Sequence, residues 1–389
     1  MAGWKTVLKA PLIIGTSVSY RISHICRHFL RVEIWGRFLR AAQAYGISVP
    51  VVALRALRWY AADRFLPGEA LSRGLLHPAE RVQTAGDHIS EERLHALQHA
   101  VNSPSAAMCR DKLLFHSHCS AHYLPVPQLL AVLSRHGSRD AGGGAVITPE
   151  QWHSLVKEQL PESFIAKPRH GRQGCDVRLL GVAHTVRTDA SPTEQVVHAL
   201  KELSETNDEQ ILEGRLDVHE RVATLTGTRA LSTVRVFSWV TREGKPEILD
   251  AYFRAIVGDR LTDNVTDFRT GLYTGNIVAS PELQSGILSR AWAYNSNGIG
   301  YRWVDRHPGT RALIVGFPLP WWQETRALVS RAALCFMPIR TIGWDVALTP
   351  KGPVLIEANE RFQHAGFGEG ARRIRSVLNE ETQRLRGAD

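Results

Sequence analysis

The chain has 389 residues, 44% of them hydrophobic, and carries a formal net charge of +9. At ~150 residues per domain, that length allows two or three domains with a sizeable core. Its five cysteines, Cys26, Cys109, Cys119, Cys175 and Cys335, are scattered without a Cys-x-x-Cys pair. That speaks against a disulfide framework and a zinc site, and suits a reducing cytoplasm.

Residues 1–66 hold ten Lys or Arg against two acidic residues, so +8 of the +9 lies there. A uniformly basic nucleic-acid binder would not show this distribution, and no nucleic-acid partner is expected. Between Ser23 and Arg40, the apolar Ile25, Phe29, Val32 and Leu39 recur at helical spacing, with Arg27, Arg31, Arg37 and Arg40 interleaved. This basic amphipathic helix has two readings. Either it is a solvated helix of its own domain, or residues 1–66 make a peripheral contact with an anionic membrane or an acidic partner. The stretch "AAQAYGISVPVVAL" is fourteen residues with a Gly and a Pro, short of the ~20 needed to span a bilayer. Pro11 to Tyr20 is too weakly apolar for a secretory signal. The expected location is the cytoplasm, with the inner face of the membrane as the second reading.

Further along, "GDHISEERLHALQHAVNSP" predicts a helix with Ser90 as its N-cap, stopped by Pro104. "AAMCRDKLLFHSHCSAHYL" predicts a second helix, closed by "PVPQ", and "RHGSRDAGGGAVITPE" reads as a glycine-rich loop. From Ser163 the texture is strand-like. "SFIAKP" and "CDVRLLGV" flank the turn "RHGRQG", and "EQILEGRL" is a short strand ending in Glu213-Gly214. "LSTVRVFSWV" and "PEILDAYFRAIVG" alternate and are joined by "TREGK". A helix across "WWQETRALVSRAAL" precedes the hairpin "GWDVALTPKGPVLIEANE". Helices first, then mixed strands and helices, imply α+β in more than one lobe.

Three places carry chemistry. Lys167 ends a strand beneath a loop containing Gly171 and Gly174. Backbone N–H groups and an ammonium arranged so can cover a polyphosphate, although a solvated surface lysine has the same local sequence. Alternation sets Thr233, Arg235, Phe237 and Trp239 on one strand face, and Asp250, Tyr252 and Arg254 on one face of the next. Either the two arginines clamp phosphate or carboxylate oxygens of a ligand, or each pairs with an acid on the sheet face. Asp263 and Asn264 follow in a loop that also reads as a plain Asx turn. In the last hairpin, Asp345 at a strand start, Glu357 and Asn359 converge as three hard oxygen ligands, the kind magnesium prefers. Capping and turn acids are the alternative.

In this order, these parts resemble the ATP-grasp enzymes, and more closely the sugar-transfer-associated ATP-grasp group. The resemblance rests on "DKLLFHSHCSAHYLPVPQ", "FIAKPRHGRQGCDV", "STVRVFSW", "YFRAIVGDRLTDN", "HPGT", "FPLPWW" and "IGWDVALTPKGPVLIEAN", between about Pro104 and Gly370. It implies an ATP-grasp fold, two α+β lobes clasping ATP, behind a basic helical region. Residues 1–85 would be that region, 86–160 the first part of the grasp module, 161–230 the central nucleotide lobe and 231–389 the lobe with the magnesium site. Lys112 and Lys167 then resemble the phosphate-binding lysines, Gly171 and Gly174 the mobile loop, and Leu212 and Glu213 the adenine hinge. Asp345, Glu357 and Asn359 resemble the Mg2+ ligands, and Arg235, Arg254 and Asn264 match positions around the phosphates and acceptor. The loop departs from a glycine-richer pattern at Arg172, Gln173 and Cys175.

The implied activity is an ATP- and magnesium-dependent carboxylate–amine ligase working through an acylphosphate. Its substrate would be a small molecule or glycan precursor, for example an amino acid joined to a sugar acid in polysaccharide synthesis. A kinase on the same scaffold and a non-catalytic nucleotide-binding or membrane-scaffold protein are the rivals. Asp345→Asn or Glu357→Gln is expected to remove turnover and leave the fold intact.

Overall fold

A computed structural model describes residues 28–102, 106–171, 176–186, 189–267 and 272–387. The chain divides into two compact units, Met1–Ala85 and Gly86–Asp389.

In the first unit, helices α1 (Val32–Tyr45), α2 (Val49–Asp63) and α3 (Pro67–Ser72) follow one another through short turns. Gly46, in the left-handed region at φ 66°, closes α1, and Pro50 opens α2. Phe38, Ala41, Ala42, Val52, Ala56 and Trp59 face inward, the alanines letting the helices approach closely. Arg55 ties α2 to the following chain by donating to the carbonyls of Leu76, His77 and Glu80.

The second unit contains two antiparallel sheets. Helix α4 (Glu91–Val101) starts where Ser90 accepts the Arg93 N–H, as the sequence predicts. Pro104, expected to stop it, lies outside the described residues. The predicted second helix is broken in two, α5 (Ala107–Arg110) and α6 (Lys112–Ala121), because Asp111 adopts an extended backbone. Its carboxylate caps α6 by accepting the N–H groups of Leu113 and Leu114.

The first sheet contains β1 (Leu129–Leu133), β2 (Ser138–Asp140), β3 (Ala145–Val146), β4 (Phe164–Pro168), β5 (Arg178–Leu180) and β6 (Gln210–Gly214). Their order is β3-β2-β1-β6-β4-β5. The segment expected to be a glycine-rich loop is thus the edge hairpin β2–β3, closed by Asp140 accepting the Gly144 N–H at 2.8 Å. Strands on both sides of residue 160 share this sheet. Helices α7 (Pro149–Ser154) and α8 (Pro192–Ser204) supply Trp152, Val196, Val197, Leu200 and Leu203 to a core shared with Leu130, Phe164 and Leu212.

After helix α9 (Glu220–Thr226) comes the second sheet: β7 (Thr233–Val240), β8 (Pro246–Ala255), β9 (Ile277–Pro281), β10 (Leu288–Tyr294), β11 (Tyr301–Trp303), β12 (Thr341–Thr349) and β13 (Gly352–Asn359). The order β11-β10-β9-β8-β7-β12-β13 places the two predicted hairpins side by side, with β13 at the edge of the sheet. One face, through Val234, Val236, Phe253, Val346 and Leu348, packs on α10 (Trp322–Cys335). The other, through Phe237, Trp239, Tyr252 and Trp292, packs on α4 and α11 (Glu369–Gly387).

Gly286, which links β9 to β10, has φ 76°, and an added Cβ would lie 2.3 Å from Trp322 Cγ. Gly286→Ala is therefore expected to destabilise the second unit by roughly 1–3 kcal/mol through overpacking and backbone strain. A lower thermal midpoint with unchanged far-UV dichroism at low temperature is the expected readout.

Candidate active site

Alternation on the first sheet decides which side chains reach the site. Phe164 and Ala166 on β4 enter the core, so Ile165 and Lys167 point the other way. On β6, Leu212 is in the core and Glu213 points back with Lys167. Lys167 Nζ lies 2.7 Å from Glu213 Oε2, with both side chains 8% exposed. An ammonium and a carboxylate this well buried persist only as partners.

Lys112 opens α6 beside this pair. Its N–H donates to the Arg169 carbonyl at 3.2 Å, and its Nζ donates to the Gly171 carbonyl. Glu357 Oε1 on the second sheet is 3.8 Å from the same Nζ. Burial lowers the Lys112 pKa, and the nearby Glu357 carboxylate opposes that shift. Arg169 holds the arrangement from below: it grips Asp111 through Nε at 2.8 Å and through Nη2, and Glu209 through Nη1. The base of the glycine loop is thereby fixed to the cap of the Lys112 helix. Gly174, with Arg172, Gln173 and Cys175, lies outside the described residues.

The second sheet contributes Asp345, which sits in the middle of β12 and not at a strand start. It pairs across to Arg235 on β7 and to Glu357 on β13. The β12–β13 register shifts between Asp345 and Val346, a bulge that turns Ile356 as well as Glu357 to the cleft. Arg235 donates to both Asp345 oxygens, Nε to Oδ1 at 2.7 Å and Nη2 to Oδ2 at 2.6 Å. Arg254 Nη2 on β8 is 3.1 Å from Asp345 Oδ1, and 3.3 Å from Asp263 Oδ1. It also donates to Thr233 Oγ1 at 2.6 Å. Asp263 accepts the Thr233 N–H at 2.8 Å and its hydroxyl at 2.6 Å. Of the two readings of these arginines, the acid on the sheet face is therefore occupied: Asp345 bridges both.

The charges follow from this geometry. Burial alone would raise the Asp345 pKa, but Arg235 and Arg254 outweigh it and hold the carboxyl below the usual range. Burial likewise disfavours the Arg235 cation, and Asp345 more than restores it. Asp263 is pushed up by burial, with Arg254 only partly opposing. Arg254 Nε is buried with no hydrogen-bond partner among the described residues, an unused donor in the cleft wall.

Between the sheets lies a cleft of about 600 Å³. Of the residues the sequence singles out, Lys112, Lys167, Gly171, Glu213, Arg254, Asn264, Asp345 and Glu357 line it. Three do not. Leu212 is fully buried in the first core. The Arg235 guanidinium is taken up by Asp345 rather than set in the wall. Asn359, paired with Gly343 at the end of β13, donates to the Gly343 carbonyl at 3.3 Å. Sequence reasoning passed over the apolar part of the lining, Ile165, Val177, Leu179 and Ile356. The alternation that marks Lys167 also marks Ile165, and the same rule pairs Val177 with Leu179. Alternation already names Thr233 as a face-mate of Arg235, whereas the sequence reads Asp111 as the interior of one continuous helix, and its capping role comes only with the structure.

Among the described residues, no group of three or more His, Cys, Asp or Glu side chains could hold a metal ion. The set here is two carboxylates and an amide, hard oxygens suited to magnesium. Asp345 and Glu357 are direct cross-strand neighbours on the cleft, but Arg235 holds both Asp345 oxygens and Asn359 does not line the cleft, so a cation here would require Asp345 to release part of its arginine clamp.

A family model described as sugar-transfer associated ATP-grasp matches residues 92–379. The chain belongs to this ATP-grasp family. No curated protein matches it. Among solved structures, it is similar to an L-amino acid ligase from Bacillus licheniformis, at 11% identity and a TM-score of 0.34. That match covers 65% of this chain but 41% of the ligase, less than half of that protein's length. It is also similar to D-alanine–D-alanine ligase from Bacillus anthracis, at 11% identity and a TM-score of 0.39 over 78% of each chain. For N5-carboxyaminoimidazole synthetase from Staphylococcus aureus, the identity is 11% and the TM-score 0.39, over 75% of this chain and 58% of the other. The expected fold stands: an ATP-grasp module of two antiparallel α+β lobes, with a helical region before it.

The clamp revises one expectation from the sequence. Asp345→Asn leaves two buried guanidiniums sharing a neutral acceptor, so it should cost about 2–4 kcal/mol of stability instead of leaving the fold intact. Because the folded Asp345 pKa is depressed, its contribution is complete above the ordinary aspartate value of ~3.9 and fades as pH falls through the folded value. Urea melts across the acid range should therefore show a steeper acid loss in the wild type than in Asp345→Asn. Glu357→Gln, at a side chain 28% exposed, should leave the melt nearly unchanged.

Proposed function

We propose that the protein is an ATP-dependent carboxylate–amine ligase acting through an acylphosphate. The observation that carries this reading is the cleft itself: Lys112, Lys167 and Arg254 line it, each within 3.8 Å of a carboxylate of the same cleft, Glu357, Glu213, and Asp263 with Asp345. A triphosphate could displace carboxylates from Lys112, Lys167 and Arg254, exchanging one set of anionic oxygens for another. Asp345, on releasing part of its arginine clamp, and Glu357 would hold magnesium, which would supply charge neutralisation along the phosphates.

In the chemistry proposed, a substrate carboxylate oxygen attacks the γ-phosphorus, and the bond from that phosphorus to the β-bridging oxygen breaks to release ADP. An amine then attacks the acyl carbon, the acyl C–O bond breaks, and phosphate leaves with an amide formed and a proton released. The residues' part is positional and electrostatic. Lys167 and Lys112 fix the phosphate chain, and Arg254, which lines the cleft, adds a third positive charge. Ile165, Val177, Leu179 and Ile356 give the adenine ring an apolar slot, with Glu213 and the Gly214 backbone at its edge.

The family's description motivates a glycan or glycan-precursor substrate, such as a sugar acid joined to an amino acid. Measuring ADP and free phosphate together, across panels of amino acids and uronic acids, tests the assignment. A ligase should release the two in equal amounts only when both a carboxylate and an amine are present. ADP without free phosphate, and with a phosphorylated product, would instead identify a kinase.

A further inference from the structure

The first unit carries a surface that its own fold does not use. Its core is made from one side of each helix, Phe38, Ala41 and Ala42 of α1 and Val52, Ala56 and Trp59 of α2. The other sides are also apolar. On α1, Val32 is 86% exposed, Trp35 42% and Leu39 51%, and Leu30 just before the helix is 67% exposed. On α2, Val51 is 43% exposed, Leu54 48% and Leu57 39%. The spacing of Val32, Trp35 and Leu39 at three and four residues makes one stripe, and Val51, Leu54 and Leu57 make another. Exposed Arg31, Arg40 and Arg58 flank the stripes, and Glu33 is the acidic exception.

We propose that this surface is a monotopic contact with an anionic lipid bilayer, made by the exposed apolar stripes of α1 and α2 and their flanking arginines. Charge selects the partner. Residues 1–85 hold twelve Lys or Arg against four Asp or Glu, a net +8. A second copy of the unit would set that charge against itself, whereas anionic headgroups answer it. The side chains select a bilayer over an acidic protein. Trp35 is the amphipathic ring that settles at a headgroup boundary, and arginines can keep their charge in the headgroups while their stems lie along the apolar stripe. A fluid interior also accepts two separate stripes with no fixed complementary shape. The contact is interfacial: among the described residues, no helix is long and apolar enough to cross a membrane.

Flotation of the full-length chain with phosphatidylglycerol–phosphatidylcholine vesicles, and with phosphatidylcholine vesicles alone, tests the proposal. The chain should float with the anionic vesicles at low salt, fail to float with the neutral ones, and be released as salt rises. The triple substitution Trp35→Ser, Leu39→Ser and Leu54→Ser should lower partitioning by roughly tenfold or more. Arg31→Glu with Arg40→Glu and Arg58→Glu should do the same, because it reverses the local charge. All of these positions are exposed, so thermal melts should match the wild type. If the triple variant melts early, Val32→Ser alone gives the same test with a smaller loss. No flotation of the wild type with anionic vesicles, or undiminished flotation of folded variants, would overturn the proposal. So would sedimentation showing that the wild type self-associates without lipid and that the triple variant abolishes it.

Discussion

Asp345 is held by two arginines from two different strands, and much of the second lobe is arranged around that contact. A buried carboxylate in mid-sheet would ordinarily protonate or unfold its surroundings. Here Arg235 binds both of its oxygens and Arg254 binds one, while Arg254 also reaches Asp263 and Thr233. The network therefore joins β7, β8, β12 and the loop after β8 in one set of charge-assisted bonds. It requires Arg235 and Asp345 to stand directly opposite, which they do in the β7–β12 ladder. A shift of one residue would turn each to the other face.

The same logic extends across the cleft. Lys167 is matched by Glu213 within the first sheet, and Lys112 stands between the Gly171 carbonyl and Glu357 of the second. Lys112 is thus the side chain through which the two lobes meet at the site. Its position depends on the broken helix. If α5 and α6 were continuous, Asp111 could not cap α6 and accept Arg169 at once. A small local irregularity, one extended residue, places Lys112 where it reaches both the glycine loop and the second sheet. The bulge after Asp345 does comparable work on β13 by bringing Ile356 and Glu357 to one cleft.

What could be read from the sequence follows from which signals are local. The hairpins β7–β8 and β12–β13 were legible because alternation and a short turn fix them without reference to the rest of the chain. Lys167 and Glu213 were legible as strand ends, and the resemblance to a known family supplied their common purpose. The ion pairs were not, because Arg235 and Asp345 are 110 residues apart and only the ladder brings them together. The β2–β3 hairpin was hidden by its three consecutive glycines, and β9 to β11 lie in a stretch where no clean alternation was picked out. Leu212 shows the limit of transferring a role to a neighbour: alternation sends its side chain to the core while Glu213 faces the site. Likewise, the basic character of the N-terminal region was plain from composition. The exposure of its apolar stripes needed the helices and their core.

The proposed function requires that this cleft take a nucleotide as its magnesium complex, because Lys112, Lys167 and Arg254 already stand against carboxylates. A bare triphosphate would bring uncompensated negative charge into that balance, whereas the metal complex would not. Calorimetric titration of ATP into the full-length protein, with magnesium and with excess chelator, measures this directly, and Glu357→Gln separates the metal's contribution from the fold. Binding should be tight with magnesium and much weaker in chelator, and the magnesium effect should shrink in the variant. Equal affinity in magnesium and chelator would contradict it.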